Sequence, residues 1–171
     1  VAENPSSVTK AGDAVSGGSF HGQPMAMAMD VFGIAAAECA NIDVRRIARM
    51  VDHELSDLPP FLVSDSGVNS GCMSPQYTAA ALVSENKVLA HPSVVDSIPT
   101  SANQEDHVSM GGYSARKARQ ILNNTNRVIA IEMVNAAQGM DFRAPLKPGK
   151  GSGAAYAEFR KHVPFYEKDQ F

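Results

Sequence analysis

One pattern limits what this chain can fold into. From about His107 to Gln138, Ile121, Leu122, Thr125, Val128, Ile129, Glu132 and Ala136 recur at intervals of three and four. That spacing predicts a helix of some thirty residues, about 45 Å long at 1.5 Å per residue. A helix of that length exceeds what one small domain covers. It calls for partner helices, including helices of other subunits. Gly139 stands where a C-terminal stop belongs.

Other segments give the same period. Pro24 to Ala40 (PMAMAMDVFGIAAAECA) is built from good helix formers with proline in the first turn, and it is apolar almost all round. Such a helix is expected to be buried on most sides. Asn41 and Asp43 offer a cap for a separate short helix carrying Val44, Ile47, Ala48 and Val51 on one face and Arg45, Arg46 and Arg49 on the other. A further helix is predicted over 75–90, with Ala79, Leu82, Val83 and Leu89 as its apolar face. Residues 1–19, rich in Ser, Gly and Asn, read as an extended or loop lead-in. Residues 144–154 (APLKPGKGSGA) read as a flexible linker before a short helix near Tyr156 to His162. No strand of period two and no βαβ alternation stands out, so the expectation is an all-α, long-helix bundle.

The composition excludes several classes. With 171 residues, 44% hydrophobic and 19% charged, the chain suits about one core-forming domain. A net charge of −3 lacks the basic footprint of a nucleic-acid binder. No run approaches about 18 uninterrupted apolar residues, so no membrane span is predicted, and the polar start carries no secretory pattern. Cys39 and Cys72 form no CxxC pair, which fits a reducing cytoplasm better than a disulfide framework. Val1-Ala2-Glu3-Asn4-Pro5, with no initiator methionine, reads as interior sequence.

The most unusual stretch is Asp96 to Met110, where Asn103, Gln104, Glu105, Asp106 and His107 follow one another. Consecutive residues point in different directions, so they do not all serve one site. One reading makes Glu105 and Asp106 caps of the long helix, favoured by its dipole. The other makes Glu105 an acid, base or substrate anchor at the mouth of a site. His107 has no HxxxH or HxxE companion, so no metal is expected. Gly149-Lys150-Gly151-Ser152-Gly153 fails the phosphate-loop spacing. Met25, Met27 and Met29 read as core filler. Phe20, after a glycine pair, reads as packing or pocket lining, and Asn69-Ser70-Gly71-Cys72-Met73 as a pocket loop or a plain connection.

Several strings together do more. Ser16-Gly17-Gly18-Ser19-Phe20-His21-Gly22-Gln23-Pro24, Leu58-Pro59-Pro60-Phe61-Leu62, Asn69-Ser70-Gly71, Gln76 to Lys87 (QYTAAALVSENK) and Asp96 to Met110, with SANQEDHVSM at its end, closely resemble the C-terminal half of the histidine ammonia-lyases, of the aromatic amino acid lyase family. The match runs in order to about Arg143. It makes residues 1–143 the helical C-terminal half of the lyase fold and 144–171 a linker with a short C-terminal helix. The resemblance implies an almost wholly helical fold shared with aspartase and fumarase, a homotetramer with active sites built from several subunits, and elimination of ammonia from L-histidine to give trans-urocanate. It implies a 4-methylidene-imidazol-5-one electrophile formed from an Ala-Ser-Gly triplet, with no metal. By the same resemblance Glu105 is the catalytic glutamate contacting the substrate imidazole, Phe20 lies near the electrophile, Met73 lines the imidazole pocket, and Asn103 and Gln104 neighbour the substrate.

The sequence departs from the family pattern at Ser19, where Asn is usual, at Cys72, where Phe is usual, and at Ser74-Pro75, which replaces a more apolar pair. No Ala-Ser-Gly occurs in the 171 residues. The resemblance places the electrophile, a tyrosine and a carboxylate-binding arginine in a missing N-terminal half, so the chain alone is expected to be inactive. The competing readings are a lyase or aminomutase for another amino acid, and a catalytically inactive helical scaffold.

Overall fold

The computed structural model describes residues 4–8, 10, 12–17 and 21–170. Two short antiparallel strands, β1 (Asn4–Val8) and β2 (Ala14–Gly17), pair Asn4 with Gly17 and Val8 with Ala14. The sequence gives no period-two signal there, so this hairpin corrects the strandless expectation for the lead-in. Among the described residues the later elements, joined by loops, are helical: α1 (Gln23–Val51), α2 (His53–Ser56), a 3-10 turn over Pro60–Leu62, α3 (Met73–Leu89), α4 (Gly111–Phe142) and α5 (Lys150–Arg160).

Each boundary that differs from expectation has a local cause. The two helices expected around Asn41 are one 29-residue helix. Asp43 does not cap; its carboxylate is buried and meets Arg46 one turn on, and Arg46 also grips Glu132 of α4 with two guanidinium nitrogens. Asn and Asp inside a helix cost about 0.7 kcal/mol each, which the buried Ala40 and Ile47 on either side readily outweigh. The long helix starts at Gly111 rather than His107, because Met110 is left-handed (φ 55°) and cannot continue a right-handed helix. Gly139 does not stop α4. A Cβ there would stand 3.1 Å from Leu58 Cδ1, so the glycine makes room for Leu58. Part of the expected linker is ordered, since α5 begins at Lys150.

The chain divides into two compact units. The first holds residues 1–37 and 86–122. In it α1 and α4 approach over small residues: a Cβ on Gly33 would lie 3.1 Å from Ile121, and one on Gly111 would lie 3.5 Å from Ala26. Beside Ala26, Ala118 and Ile121 is a buried polar centre. Asp30 accepts from the backbone N–H groups of Ser93 (2.7 Å) and Val94 (2.8 Å) and from the Ser114 hydroxyl (3.0 Å), with Lys117 Nζ at 3.5 Å. Lys117 also donates to the His91 carbonyl.

The second unit holds residues 38–85 and 123–171. Its core joins Ala40, Ile47, Ala79 and Val128, flanked by Val44, Leu82, Val83 and Ile131. A second cluster of Val51, Leu62 and Cys72 is backed by Leu58, Phe61, Phe142 and Tyr166.

The expected burial of the apolar run in α1 is not met within this chain. Met25, Met27, Val31, Phe32, Ile34 and Ile42 are exposed. By length and mean hydropathy (1.3) α1 is long and apolar enough to cross a membrane, and 22% of that window is buried. Asp30 interrupts the run, and it is bonded inward rather than presented outward.

Candidate active site

The stretch singled out by sequence forms a strained turn. Thr100 and Glu105 pair as an antiparallel bridge, exchanging N–H···O bonds of 3.0 and 3.2 Å. Between them Ser101, Ala102 and Asn103 are all left-handed (φ 55°, 53° and 70°), and Gln104 N–H donates to the Ser101 carbonyl at 3.0 Å. Left-handed backbone costs about 1–2 kcal/mol for a residue with a side chain, and asparagine tolerates it best. Strain of this kind persists only where the surroundings enforce it, and it collects at functional sites. Here it reverses the chain so that Glu105 emerges at the end of the turn, set by the bridge and not by a helix. The capping role considered for Glu105 is therefore absent.

The loop is tied down further along. Val108 N–H donates to Ser97 Oγ at 2.9 Å, and the buried Ser109 hydroxyl donates to the His21 carbonyl while accepting from Gly111 N–H. This fixes His21 beside the loop, with Nδ1 3.9 Å from Glu105 Oε2, an ion pair when His21 is protonated. The Glu105 side chain is 39% exposed, so its carboxylate is half-sheltered and still reachable. Such a group can accept a hydrogen bond from a polar ring or take a proton. Next along the chain, residues 108–113 and Arg116 line a shallow cleft of about 550 Å³, which Glu105 does not itself line.

The other predicted site residues fall as follows. Asn103 and Gln104 share the Glu105 loop and are exposed. Met73 belongs to the second unit, where it is half-buried as the first residue of α3, its N–H donated to the Ser70 carbonyl at 3.0 Å. Phe20 and Ser19 lie outside the described residues. Cys72 is fully buried, with its sulfur 2.5 Å from the Tyr166 hydroxyl. Burial, eased only in part by that hydroxyl, pushes the Cys72 thiol up.

Sequence reasoning missed three groups. For His21 the signal the sequence offers is its adjacency to Phe20 in the glycine-rich string. Asp30 lies within the apolar run from Pro24 to Ala40, and nothing in the sequence marks it. Burial pushes its carboxyl up, but the hydrogen bonds from Val94, Ser114 and Ser93 and the nearby Lys117 ammonium outweigh that and leave it below the usual carboxylate range. Asp169 accepts from the Ser70 and Gly71 N–H groups at 2.8 Å each, and nothing in the sequence pairs residues so far apart.

Against known proteins, the family model described as aromatic amino acid lyase matches residues 1–161. The histidine ammonia-lyase of Shewanella pealeana is 56% identical over 171 residues, covering 100% of this chain and 34% of its own length. A crystal structure of histidine ammonia-lyase from Trypanosoma cruzi superposes with a TM-score of 0.89 at 48% identity, covering 98% of this chain and 33% of that one. The phenylalanine aminomutase of Pantoea agglomerans superposes with a TM-score of 0.88 at 34% identity, covering 94% and 32%. This chain thus spans about a third of the length of the curated relatives it matches. With the family model matched along nearly all of its length, and with the long-helix fold in place, the chain belongs to the aromatic amino acid lyase family.

Proposed function

We propose that this chain is the C-terminal portion of an enzyme that eliminates ammonia from L-histidine to give trans-urocanate. The observation that carries the reading is 56% identity, over the full chain, to enzymes named histidine ammonia-lyase. The geometry supports it: an accessible carboxylate stands at the end of an enforced left-handed turn, 3.9 Å from an imidazole. A neutral substrate imidazole offers one N–H donor, which a carboxylate suits and a wholly apolar wall does not. In this reading Glu105 binds the ring or removes the weakly acidic β-proton, Asn103 and Gln104 border the substrate from the same loop, and Met73 and Phe20 line the pocket. The working enzyme is a cytoplasmic homotetramer completed by polypeptide beyond this chain. The exposed apolar side of α1 and the two free cysteines support that setting.

The residues present do not furnish a methylidene-imidazolone. Its Ala-Ser-Gly precursor is absent. Of the four Xaa-Ser-Gly triplets, Val15-Ser16-Gly17 and Gly151-Ser152-Gly153 carry valine and glycine in place of the alanine, and the other two are otherwise engaged: Ser66 bridges to Asn69, and Gly71 N–H is held by Asp169. No step through that group is assigned to this chain.

The test is complementation. The chain is combined, in cis or in trans, with the remainder of a histidine ammonia-lyase, histidine, phenylalanine and tyrosine are offered separately, and growth of the matching product is followed: urocanate from histidine, the arylacrylate or the β-amino acid from the other two. Growth with histidine alone is the expected result. Growth only with phenylalanine or tyrosine would favour the aminomutase-like reading, which the 34% identity to a phenylalanine aminomutase keeps open. No growth in any assembly would leave a scaffold.

A further inference from the structure

We propose that Asp169 is a positioning residue for the substrate pocket, and that the C-terminal tail, acting through the 69–72 loop, fixes where Met73 stands. The inference rests on the reading above that Met73 lines the pocket.

Every residue of that loop is held, and the tail does most of the holding. The Asp169 carboxylate accepts from Ser70 and Gly71 N–H at 2.8 Å each, and its own N–H donates to Asn69 Oδ1 at 3.1 Å. One tail residue thus closes a reciprocal ring over three consecutive loop residues. Charge-assisted bonds of this kind are roughly twice as strong as neutral ones. On the other side, Cys72 N–H donates to the Phe61 carbonyl at 2.8 Å. Gly71 sits at φ +53°, where an added Cβ would lie 2.5 Å from that same carbonyl oxygen, so the loop has no room to shift toward it.

The tail is itself anchored. The Tyr166 hydroxyl meets Cys72 Sγ at 2.5 Å, and the Tyr166 carbonyl accepts from the fully buried Gln138 Nε2 at 2.7 Å. Phe165 packs edge-on against Phe142 with ring centroids 5.6 Å apart. Met73 follows the clamped loop directly and opens α3, whose first turn has no acidic residue of its own. Asp169 supplies the negative charge that a helix start favours. The Ser70 and Gly71 N–H bonds hold its carboxyl below the usual carboxylate range, the mark of a group working as an anion. Because Asp169 is exposed, replacing it removes the clamp without opening the core.

Asp169→Asn and Asp169→Ala are made in the assembled enzyme, with Lys161→Ala, which removes an exposed pair with Glu158, as control. Two things are measured: amide hydrogen exchange at Ser70 and Gly71 together with the Met73 methyl resonance, and the steady-state constants for histidine. In Asp169→Asn exchange at both amides rises about tenfold, the Met73 methyl shifts, and KM rises about fivefold with kcat within about twofold. Asp169→Ala does more of each, and the control does neither. Unchanged exchange overturns the clamp. Faster exchange with an unchanged KM overturns its link to the pocket. Changes shared by Lys161→Ala reduce the effect to general destabilisation and also overturn it. A parent assembly that makes no urocanate sinks the functional reading instead, and the exchange and methyl measurements then decide whether Asp169 positions Met73.

Discussion

Asp30 and Gly71 show how much structure a single position can carry. Asp30 is buried with four donors around its carboxylate, Lys117 among them. Removing one partner of a buried pair leaves the other charge uncompensated, so Asp30→Ala is expected to cost about 3–5 kcal/mol in denaturant unfolding. The folded carboxyl lies below its unfolded value. The stability it contributes is therefore complete above about pH 3.9 and is lost as pH falls through the lowered folded value. Acid titration of Asp30→Asn should lack that loss. Gly71→Ala places a Cβ 2.5 Å from a backbone oxygen at φ +53°, and is expected to cost about 2–4 kcal/mol. A Cβ at Gly112 meets nothing, so Gly112→Ala is expected to gain about 0.5 kcal/mol. Thermal unfolding of the pair separates the two glycines. Neither requirement was legible in the sequence, because a turn glycine and an apolar-run aspartate look the same whether or not a distant carbonyl or lysine faces them.

At the level of elements, periodicity located the helices well and their ends poorly. The predicted 75–90 helix is Met73–Leu89, and the thirty-residue helix exists with its start displaced. The ends moved because they are set by tertiary geometry: a left-handed Met110, a glycine making room for Leu58, and a buried Asp43 that keeps α1 unbroken. The prediction that α1 is covered on most sides failed for this chain taken alone, and the failure says where covering is needed. Phe32 and Ile34 are 43% and 46% exposed on an otherwise apolar run. Met27, Val31 and Ile34, four and three residues apart, are exposed together along one face of the helix, and an exposed apolar stripe of this kind marks an interaction face. If α1 packs against other copies in a tetramer, Ile34→Asp should shift the mass in solution toward smaller species with the helical circular dichroism unchanged. A mass already monomeric in the parent, or unaltered in the variant, would remove α1 from the interface.

For the molecule as a whole, the sequence showed the Glu105 loop as a chemically odd string, and the resemblance gave it a task. What neither showed is that the carboxylate reaches its place by a left-handed turn and faces His21. That neighbour creates a real alternative, in which Glu105 serves the fold by pairing with His21 rather than serving a substrate. The two roles separate by magnitude. An exposed ion pair is worth about 0–1 kcal/mol, so in the isolated chain Glu105→Gln should leave the unfolding free energy within about 0.5 kcal/mol of the parent. In the assembled enzyme a group that binds the imidazole or moves the β-proton contributes far more, and Glu105→Gln should lower kcat/KM for histidine by about 10²–10³-fold. His21→Ala removes the same pair without touching the proposed catalytic group, so it should reproduce the small stability change and spare most of the activity. If both substitutions lowered activity equally, the pair itself would be the working unit. If neither lowered it, the carboxylate at the end of the strained turn would have no part in the chemistry.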